Sequence, residues 1–325
     1  MKRPWLAPLV PLYAAGAALR ARLLKRSRLT WPVISVGNLS TGGAGKTPLT
    51  IALARLLAEQ GIHVDVLSRG YGRRSAQALR VDVNGDAERF GDEPLLIARA
   101  ASVPVYVAPQ RYGAGLLAEA DENPNQNQSR PNVHILDDGF QHCQLERAVD
   151  ILLLNREDLA DSLLPAGNLR EALRAAKRAD ILAIPSDDPT LADALRARGL
   201  QQPVWRIRRQ MQVPDINGPV LAFCGIARPE QFFAGLEAAG LQLAERRAFC
   251  DHHRYTAADI ARLIAVARAA GVRALLTTEK DLVRLGLLAS LLPANLPLRT
   301  AGLAAEIEDA SAALSFLLDH LQSPS

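Results

Sequence analysis

The sequence is poor in cysteine, in aromatic residues and in long uncharged runs, and each shortage excludes something. Its three cysteines, Cys143, Cys224 and Cys250, are far apart and lie in no C-x-x-C or histidine-rich pattern. Neither a disulfide framework nor a structural zinc site is expected, and a reducing, cytosolic compartment fits. Aromatic residues make up 5% of the chain, so the core must be built mainly from Leu, Ala, Val and Ile. The uncharged stretch from Trp5 to Leu19 is shorter than the ~18–20 residues of a membrane-spanning helix, so no bilayer crossing is expected. No Asn-Lys-x-Asp element is present to select guanine, which argues against a GTPase. With 22 glycines and 20 prolines in 325 residues, collagen-like and low-complexity chains are excluded. A hydrophobic content of 49% with 22% charged residues describes a folded protein long enough for two domains.

The net charge of +4 is unevenly placed. Residues 1–28 hold Lys2, Arg3, Arg20, Arg22, Lys25, Arg26 and Arg28 and no acid, which leaves the remaining chain at −3. Pro4, Pro8 and Pro11 suit a helix start but not its middle, so a helix is expected from about Pro11 to about Leu24, with Leu12, Gly16, Leu19 and Leu23 on one stripe. A cleaved signal peptide, a helix packed on the protein's own core and an interfacial segment are the three alternatives. Gly42-Gly43-Ala44-Gly45-Lys46-Thr47, a loop of the kind that holds nucleotide phosphates, follows at once, and nucleotides of that kind are cytosolic ligands, which disfavours the first. The interfacial reading places the apolar residues at the acyl boundary and the cations on anionic headgroups, at ~1 kcal/mol per Lys or Arg.

After Trp31-Pro32, β-branched runs alternate with helical stretches. VISVG (33–37), HVDVLS (63–68), PVYVA (104–108), VHILDD (133–138), DILLLN (150–155) and DILAIP (180–185) read as strands, and Pro48 to Gln60 reads as a helix. This alternation predicts an α/β fold with a parallel sheet covered by helices on both faces. The polar, breaker-rich run 121–132 reads as a surface loop. A second, smaller α/β block begins near Gln201 with VWRIRR, VLAFCGIA (220–227), LQLAERRAF (241–249), the helix TAADIARLIAVARAAG (256–271) and ALLTTEKD (274–281). The expected organisation is a membrane-associating segment at 1–30, a P-loop core at 31–200 and a C-terminal block at 201–325, with the boundary near Ser186 to Pro203.

VISVG runs into Asn38-Leu39-Ser40-Thr41-Gly42-Gly43-Ala44-Gly45-Lys46-Thr47 and then an amphipathic helix, the context a P-loop requires. Thr41, Gly42, Gly43, Ala44 and Gly45 offer backbone N–H groups to phosphates, Lys46 reaches the β/γ-phosphates, and the Thr47 hydroxyl ligates Mg²⁺. Ser40 stands where the usual pattern has its first glycine. The loop is also similar to the K-G-G-x-G-K-T of partitioning-type switch ATPases, but Thr41 replaces their first lysine. A kinase acting on a small or lipid acceptor is then the leading class.

Such a loop needs a carboxylate at a neighbouring strand end for Mg²⁺, and Asp137-Asp138 after VHIL supplies two, although the second could cap a turn. Ser68-Arg69-Gly70-Tyr71-Gly72-Arg73 follows the second strand, at the edge where open α/β sheets bind ligands. Arg69 and Arg73 could take an anionic substrate and Tyr71 a sugar face, or the charges could be solvated. Asp92 in GDEP is a helix N-cap or something more. Asp251-His252-His253, between a strand and a helix, is a cap or a catalytic element.

Taken together, VGNLSTGGAGKTP (36–48), SRGYGR (68–73), GDEP (91–94), ILDDGFQH (135–142), PAGNLRE (165–171), the DHH run (251–253) and TTEKD (277–281) resemble the tetraacyldisaccharide 4′-kinases of lipid A synthesis in bacteria with an outer membrane. The resemblance covers nearly the whole chain. It implies transfer of the ATP γ-phosphate to the 4′-hydroxyl of a tetraacylated glucosamine disaccharide 1-phosphate, giving lipid IVA, at the cytoplasmic face of the inner membrane. It also implies ATP and Mg²⁺ as cofactors and an anionic membrane surface as partner, with neither nucleic acid nor an obligate protein partner. Carried over by motif, Lys46 and Thr47 serve the phosphates and Mg²⁺, and Asp137 and Asp138 serve the metal and its water shell. Asp92 is the base and His252 its partner. Arg170 and Glu171 lie by the phosphates, Glu171 toward the metal, and Tyr71 by the lipid sugar. Arg111, in APQRYGAG, falls near the transferred phosphate. His253 stands where the family need not have histidine, so assigning the partner to His252 rests on motif alignment. A P-loop switch protein controlling membrane association and an ATP-dependent metal or protein carrier are the alternatives from other classes. Thr41 argues against the first and the scattered cysteines against the second.

Overall fold

The structure, a computed structural model, describes residues 3–23, 26–42, 45–121 and 131–322. A 3₁₀ turn, Pro4–Leu9, leads into α1 (Val10–Leu23). Then come β1 (Val33–Asn38), α2 (Lys46–Glu59), β2 (His63–Ser68), β3 (Leu79–Arg80), α3 (Ala87–Phe90), α4 (Asp92–Ala101), β4 (Val105–Val107), α5 (Arg111–Asp121), β5 (Asn132–Asp137), β6 (Val149–Leu153) and β7 (Ile181–Pro185). The C-terminal part adds α6 (Leu191–Arg196), β8 (Val204–Gln212), β9 (Val220–Cys224), α7 (Pro229–Ala238), β10 (Leu243–Ala248), α8 (Ala257–Ala269), β11 (Ala274–Thr278), α9 (Glu279–Leu285), β12 (Leu298–Ile307) and α10 (Ala310–Gln322).

Among the described residues all twelve strands join one sheet in the order β10-β9-β11-β12-β8-β7-β6-β1-β5-β2-β4-β3. Pairing is parallel except at β12–β8 and β3–β4. Every residue of β1, β6 and β9 is buried, as apolar strands sandwiched between helix layers must be. Leu49, Leu53, Ala54 and Leu57 of α2 are fully buried at helical spacing and join the core beside Ile34 and Val36 of β1.

The two expected α/β blocks share a strand. Val204–Ile207 of β8 continue the P-loop sheet beside β7, and Ile207–Gln212 pair antiparallel with β12. The predicted boundary region contains α6, whose Leu191, Ala192 and Leu195 are buried in the core under β6 and β7. Residues 122–130 of the expected surface loop lie outside the described residues.

The N-terminal helix forms where the prolines place its start. Leu12 and Leu19 of the predicted apolar stripe are 73% and 59% exposed, and Trp5 before it is 75% exposed, so these side chains face outward and not onto the core, while the Leu23 side chain lies outside the described residues. Arg3 N–H donates to Ala166 O at 2.7 Å, and the Tyr13 hydroxyl donates to Arg170 O at 3.2 Å, which seats the segment on the 165–171 loop. No helix of the described residues is long and apolar enough to cross a membrane.

Candidate active site

Parallel strands bring their C-terminal ends to one edge, and β1 lies between strands that the chain reaches in opposite directions, β5 and β2 on one side, β6 and β7 on the other. A crevice there is the ordinary ligand site of an open α/β sheet. Asn38, Ser68 and Asp137 end β1, β2 and β5 at that edge. Gly37 allows the strand to pass under the 137–142 turn, since a Cβ there would come 2.6 Å from Phe140 Cβ.

The loop after Asn38 is held from one side by the PAGNLRE segment. Thr41 N–H donates to Asn168 O at 2.8 Å and Arg170 N–H to Leu39 O at 2.7 Å. Gly45, with φ at +87°, turns the chain into α2, a conformation that disfavours any residue with a Cβ. Gly42 also has positive φ, and Gly43 and Ala44 lie outside the described residues. Lys46 then stands at the head of α2, where its Nζ donates to Asn38 Oδ1 at 2.9 Å and lies 3.5 Å from Asp138. Thr47 is buried beside it.

The two aspartates are held differently. Asp137 is buried and accepts from Ser68 at 3.2 Å and Thr50 at 3.5 Å. Burial, with the Glu93 and Asp138 charges, pushes its carboxyl up to about 7 against the pull of Lys46 and Lys280. Asp138, with φ at +50°, takes a fork of two 2.9 Å bonds from Arg170. Burial opposes its ionisation, but the Arg170 bonds and the Lys46 charge hold it well below the usual carboxylate range. The turn-cap reading of Asp138 thus gives way to a charged cluster. Arg111, drawn down from its usual value by burial, donates to Asp138 O at 3.3 Å from the head of α5. Among the described residues, Nε of Arg111 and of Arg170 has no hydrogen-bond partner, leaving buried donors for an anion. Glu171 is engaged elsewhere, in a two-bond pair with Arg178.

The second cluster spans the sheet's two halves. Asp92, 6% exposed, is the first residue of α4, and the N-cap position is Gly91. Its Oδ2 lies 3.1 Å from His252 Nδ1. His253 points away, 3.1 Å from Asp259 and 3.6 Å from Cys250 Sγ. The alternative of His253 as partner is thereby set aside by geometry. The helix-cap reading of the DHH run is replaced too, because α8 is capped by Thr256 in a capping box with Asp259. Tyr71, 63% exposed, has its ring centroid 5.5 Å from that of His252. Arg69 is exposed, whereas Arg73 turns back to Gln77 O at 2.7 Å.

Several residues here were not singled out from sequence. Asn38 accepts from both Lys46 and Arg170, at 2.9 and 2.5 Å, and donates to Ser40. A polar residue closing an apolar strand at a glycine loop was the available signal. Lys280 pairs with Glu93 and Arg284 with Asp92, although the TTEKD run was visible.

The pair has a pH signature. Burial works against a charged Asp92, but His252 and Arg284 hold it well below the usual range, while the bond to Asp92 raises His252. A lowered carboxylate contributes stability that is lost as pH falls through its folded value, and a raised histidine contributes stability that is lost as pH rises through its own. The stability difference between the native chain and His252→Ala is therefore expected to peak between about pH 4 and 6.5 and to shrink on both sides, as read by urea unfolding across pH. A difference that is flat with pH would mean the two groups do not share charge.

Several known proteins are similar to this chain over most of its length. A family model described as tetraacyldisaccharide-1-P 4′-kinase matches residues 2–322. A tetraacyldisaccharide 4′-kinase of Koribacter versatilis is 42% identical over 96% of this chain and 97% of its own length. One from Methylobacterium nodulans is 44% identical over 86% of this chain and 82% of its own. The crystal structure of the "apo" form of LpxK from Aquifex aeolicus in complex with ATP superposes with a TM-score of 0.74 at 32% identity, covering 97% of this chain and 98% of that one. With a family model matching residues 2–322 and relatives above 40% identical over 86% and 96% of the chain, the chain belongs to the tetraacyldisaccharide-1-P 4′-kinase family.

Proposed function

We propose that the chain is an ATP-dependent lipid kinase that moves the γ-phosphoryl group to the 4′-hydroxyl of a tetraacylated glucosamine disaccharide 1-phosphate, yielding lipid IVA. The observation that carries this reading is the position of the Asp92–His252 pair, beside Tyr71 and at the strand edge that also holds Lys46, Asp138 and Arg170. A phosphate-binding cluster and a proton-accepting cluster on one crevice are what transfer to an alcohol needs.

In this reading the backbone from Gly42 to Gly45 cradles the β- and γ-phosphates, the Thr41 N–H being taken by Asn168 O, and Lys46, Arg170 and Arg111 offset the charge that spreads over the transferred group. Thr47, Asp137 and Asp138 would hold Mg²⁺, with Glu171 completing the set if it leaves Arg178. Among the described residues no group of three or more His, Cys, Asp or Glu side chains gathers to hold an ion. A hard cation of this kind is commonly held by one or two carboxylates plus substrate phosphates, which Asp137 and Asp138 could supply with the nucleotide. When bound, the ion would screen phosphate charge. Asp92 accepts the proton of the 4′-hydroxyl with His252 as its partner, and Tyr71, Arg69 and Arg73 border the side from which an anionic glycolipid would approach.

Incubating the purified protein with ATP, Mg²⁺ and the acyl-disaccharide 1-phosphate should add one phosphoryl group to the lipid, read by mass. Phosphate released free in solution, with the lipid unchanged, would instead indicate a switch ATPase.

The exposed Trp5, Leu12 and Leu19, followed by the basic cluster, support an interfacial segment at the cytoplasmic face of the inner membrane. Deleting residues 1–28 should therefore reduce flotation with anionic liposomes by about tenfold or more, because it removes seven cations and the apolar face together. Equal recovery of full-length and truncated protein would mean that other surfaces bind the membrane.

A further inference from the structure

The TTEKD run (277–281) closes β11 and opens α9, and the same helix carries Arg284 one turn past Lys280. Asp281 is fully buried and fixed from several sides. It accepts from Gly225 N–H at 3.1 Å, from the Tyr255 hydroxyl at 3.0 Å, from Thr278 at 2.6 Å and from Arg284 Nη1 at 3.1 Å. Arg284 Nη1 also donates to Gly225 O at 2.5 Å. One side of the guanidinium is thus locked to the C-terminal half of the molecule. The other side donates from Nε at 2.8 Å and from Nη2 at 2.6 Å, both to Oδ2 of Asp92. His252 Nδ1 meets that same oxygen at 3.1 Å and lies 3.2 Å from Arg284 Nη2.

We infer that Arg284 is a positioning residue for phosphoryl transfer: anchored by Asp281 and Gly225, it pins the Asp92 carboxylate in the orientation that meets His252. This deepens, and rests on, the reading of Asp92 and His252 as the groups that serve the acceptor hydroxyl. A brace between α9 and α4 would not need this geometry, because Lys280 already ties to Glu93 at 2.5 Å one turn away. Arg284 places its cation on the one oxygen the imidazole uses. The charged and titratable groups around the pair are Lys280, Asp281 and Arg284 from α9, Asp251 and His252 from the loop after β10, Glu93 from α4 and Tyr71 from the 68–73 loop. In that setting the guanidinium favours the charged carboxylate and disfavours a charged imidazole. Removing it should let both groups keep their protons to higher pH.

The test titrates His252 by NMR in ¹⁵N-histidine-labelled full-length protein without ligands, the signal being assigned by its loss in His252→Gln, and measures kcat against pH with ATP and acyl-disaccharide 1-phosphate. In Arg284→Met the His252 midpoint should rise by about half to one pH unit, and the acid limb of kcat should move the same way. Its kcat should fall about 10- to 100-fold, with the KM for ATP within about twofold of native. Arg284→Lys, which keeps the charge but not the fork, should restore the midpoint and part of kcat. The inference is overturned if kcat falls with midpoint and limb unmoved, or if Lys rescues no better than Met. Should Arg284→Met not fold, Arg284→Lys decides alone: native kcat in that variant would show that the fork positions nothing. Should the native protein leave the lipid unphosphorylated, the kinase reading fails, while the His252 titration still shows whether Arg284 governs the pair.

Discussion

Lys46→Ala is expected to lower turnover by about 10³-fold or more, because a cation fixed at the transferred phosphate is worth several kcal/mol in phosphoryl transfer. The ammonium is already placed before any nucleotide arrives: Nζ donates a hydrogen bond to Asn38 Oδ1 at 2.9 Å, and Asp138 lies 3.5 Å off. That leaves little reorganisation for the moment of reaction. The loss should not reach the fold. Asn38 Oδ1 also accepts from Arg170, and Asp138 keeps its two Arg170 bonds, so neither acceptor is orphaned when the lysine is cut back. The variant should therefore unfold near the native temperature and still bind ATP through the loop backbone, which equilibrium binding would show. Near-native turnover would remove the phosphate-site assignment altogether.

How far the molecule was readable depends on whether a feature was local. The glycine loop, Asp137-Asp138 and the alternation of strands and helices are local patterns, and the elements fall within a few residues of expectation. β12 was not seen because LRTAGLAAEI carries a glycine and several alanines, a composition with weak strand preference. It is a strand because β8 and β11 lie on either side of it. The merging of two expected blocks into one sheet follows from that strand. Asp92 and His252 were readable as residues, but their contact was not, since they are far apart in sequence and meet only where the two halves of the sheet face each other. Glu171 shows the converse: a motif placed it near the phosphates, whereas the fold gives it Arg178, a partner too close in sequence to be noticed and set by the turn between them.

Asp92→Ala and His252→Ala should each lower kcat by about 10²–10⁴, with little change in the KM for ATP. The structure sharpens why they would act as one unit. With His252 and Arg284 on it, Asp92 sits well below the usual carboxylate range and is a weak base. A weak base is adequate if the phosphoryl group is loosely bound at the transition state, because the acceptor hydroxyl then keeps its proton until late, when it has become strongly acidic. The proton that reaches the carboxylate is bonded at once to an imidazole whose own affinity for protons is raised by that carboxylate, so the pair shares the charge that neither holds alone. His252 has φ at +58°, a left-handed backbone unusual for histidine, so the loop after β10 holds it there at some conformational cost. If the pair acts as one unit, removing either member disables the same step, and the double variant should be scarcely slower than the worse single one. Fully additive losses, or a steep rise in the KM for ATP in Asp92→Ala alone, would instead move Asp92 to the phosphate side of the crevice, as part of the metal's surroundings.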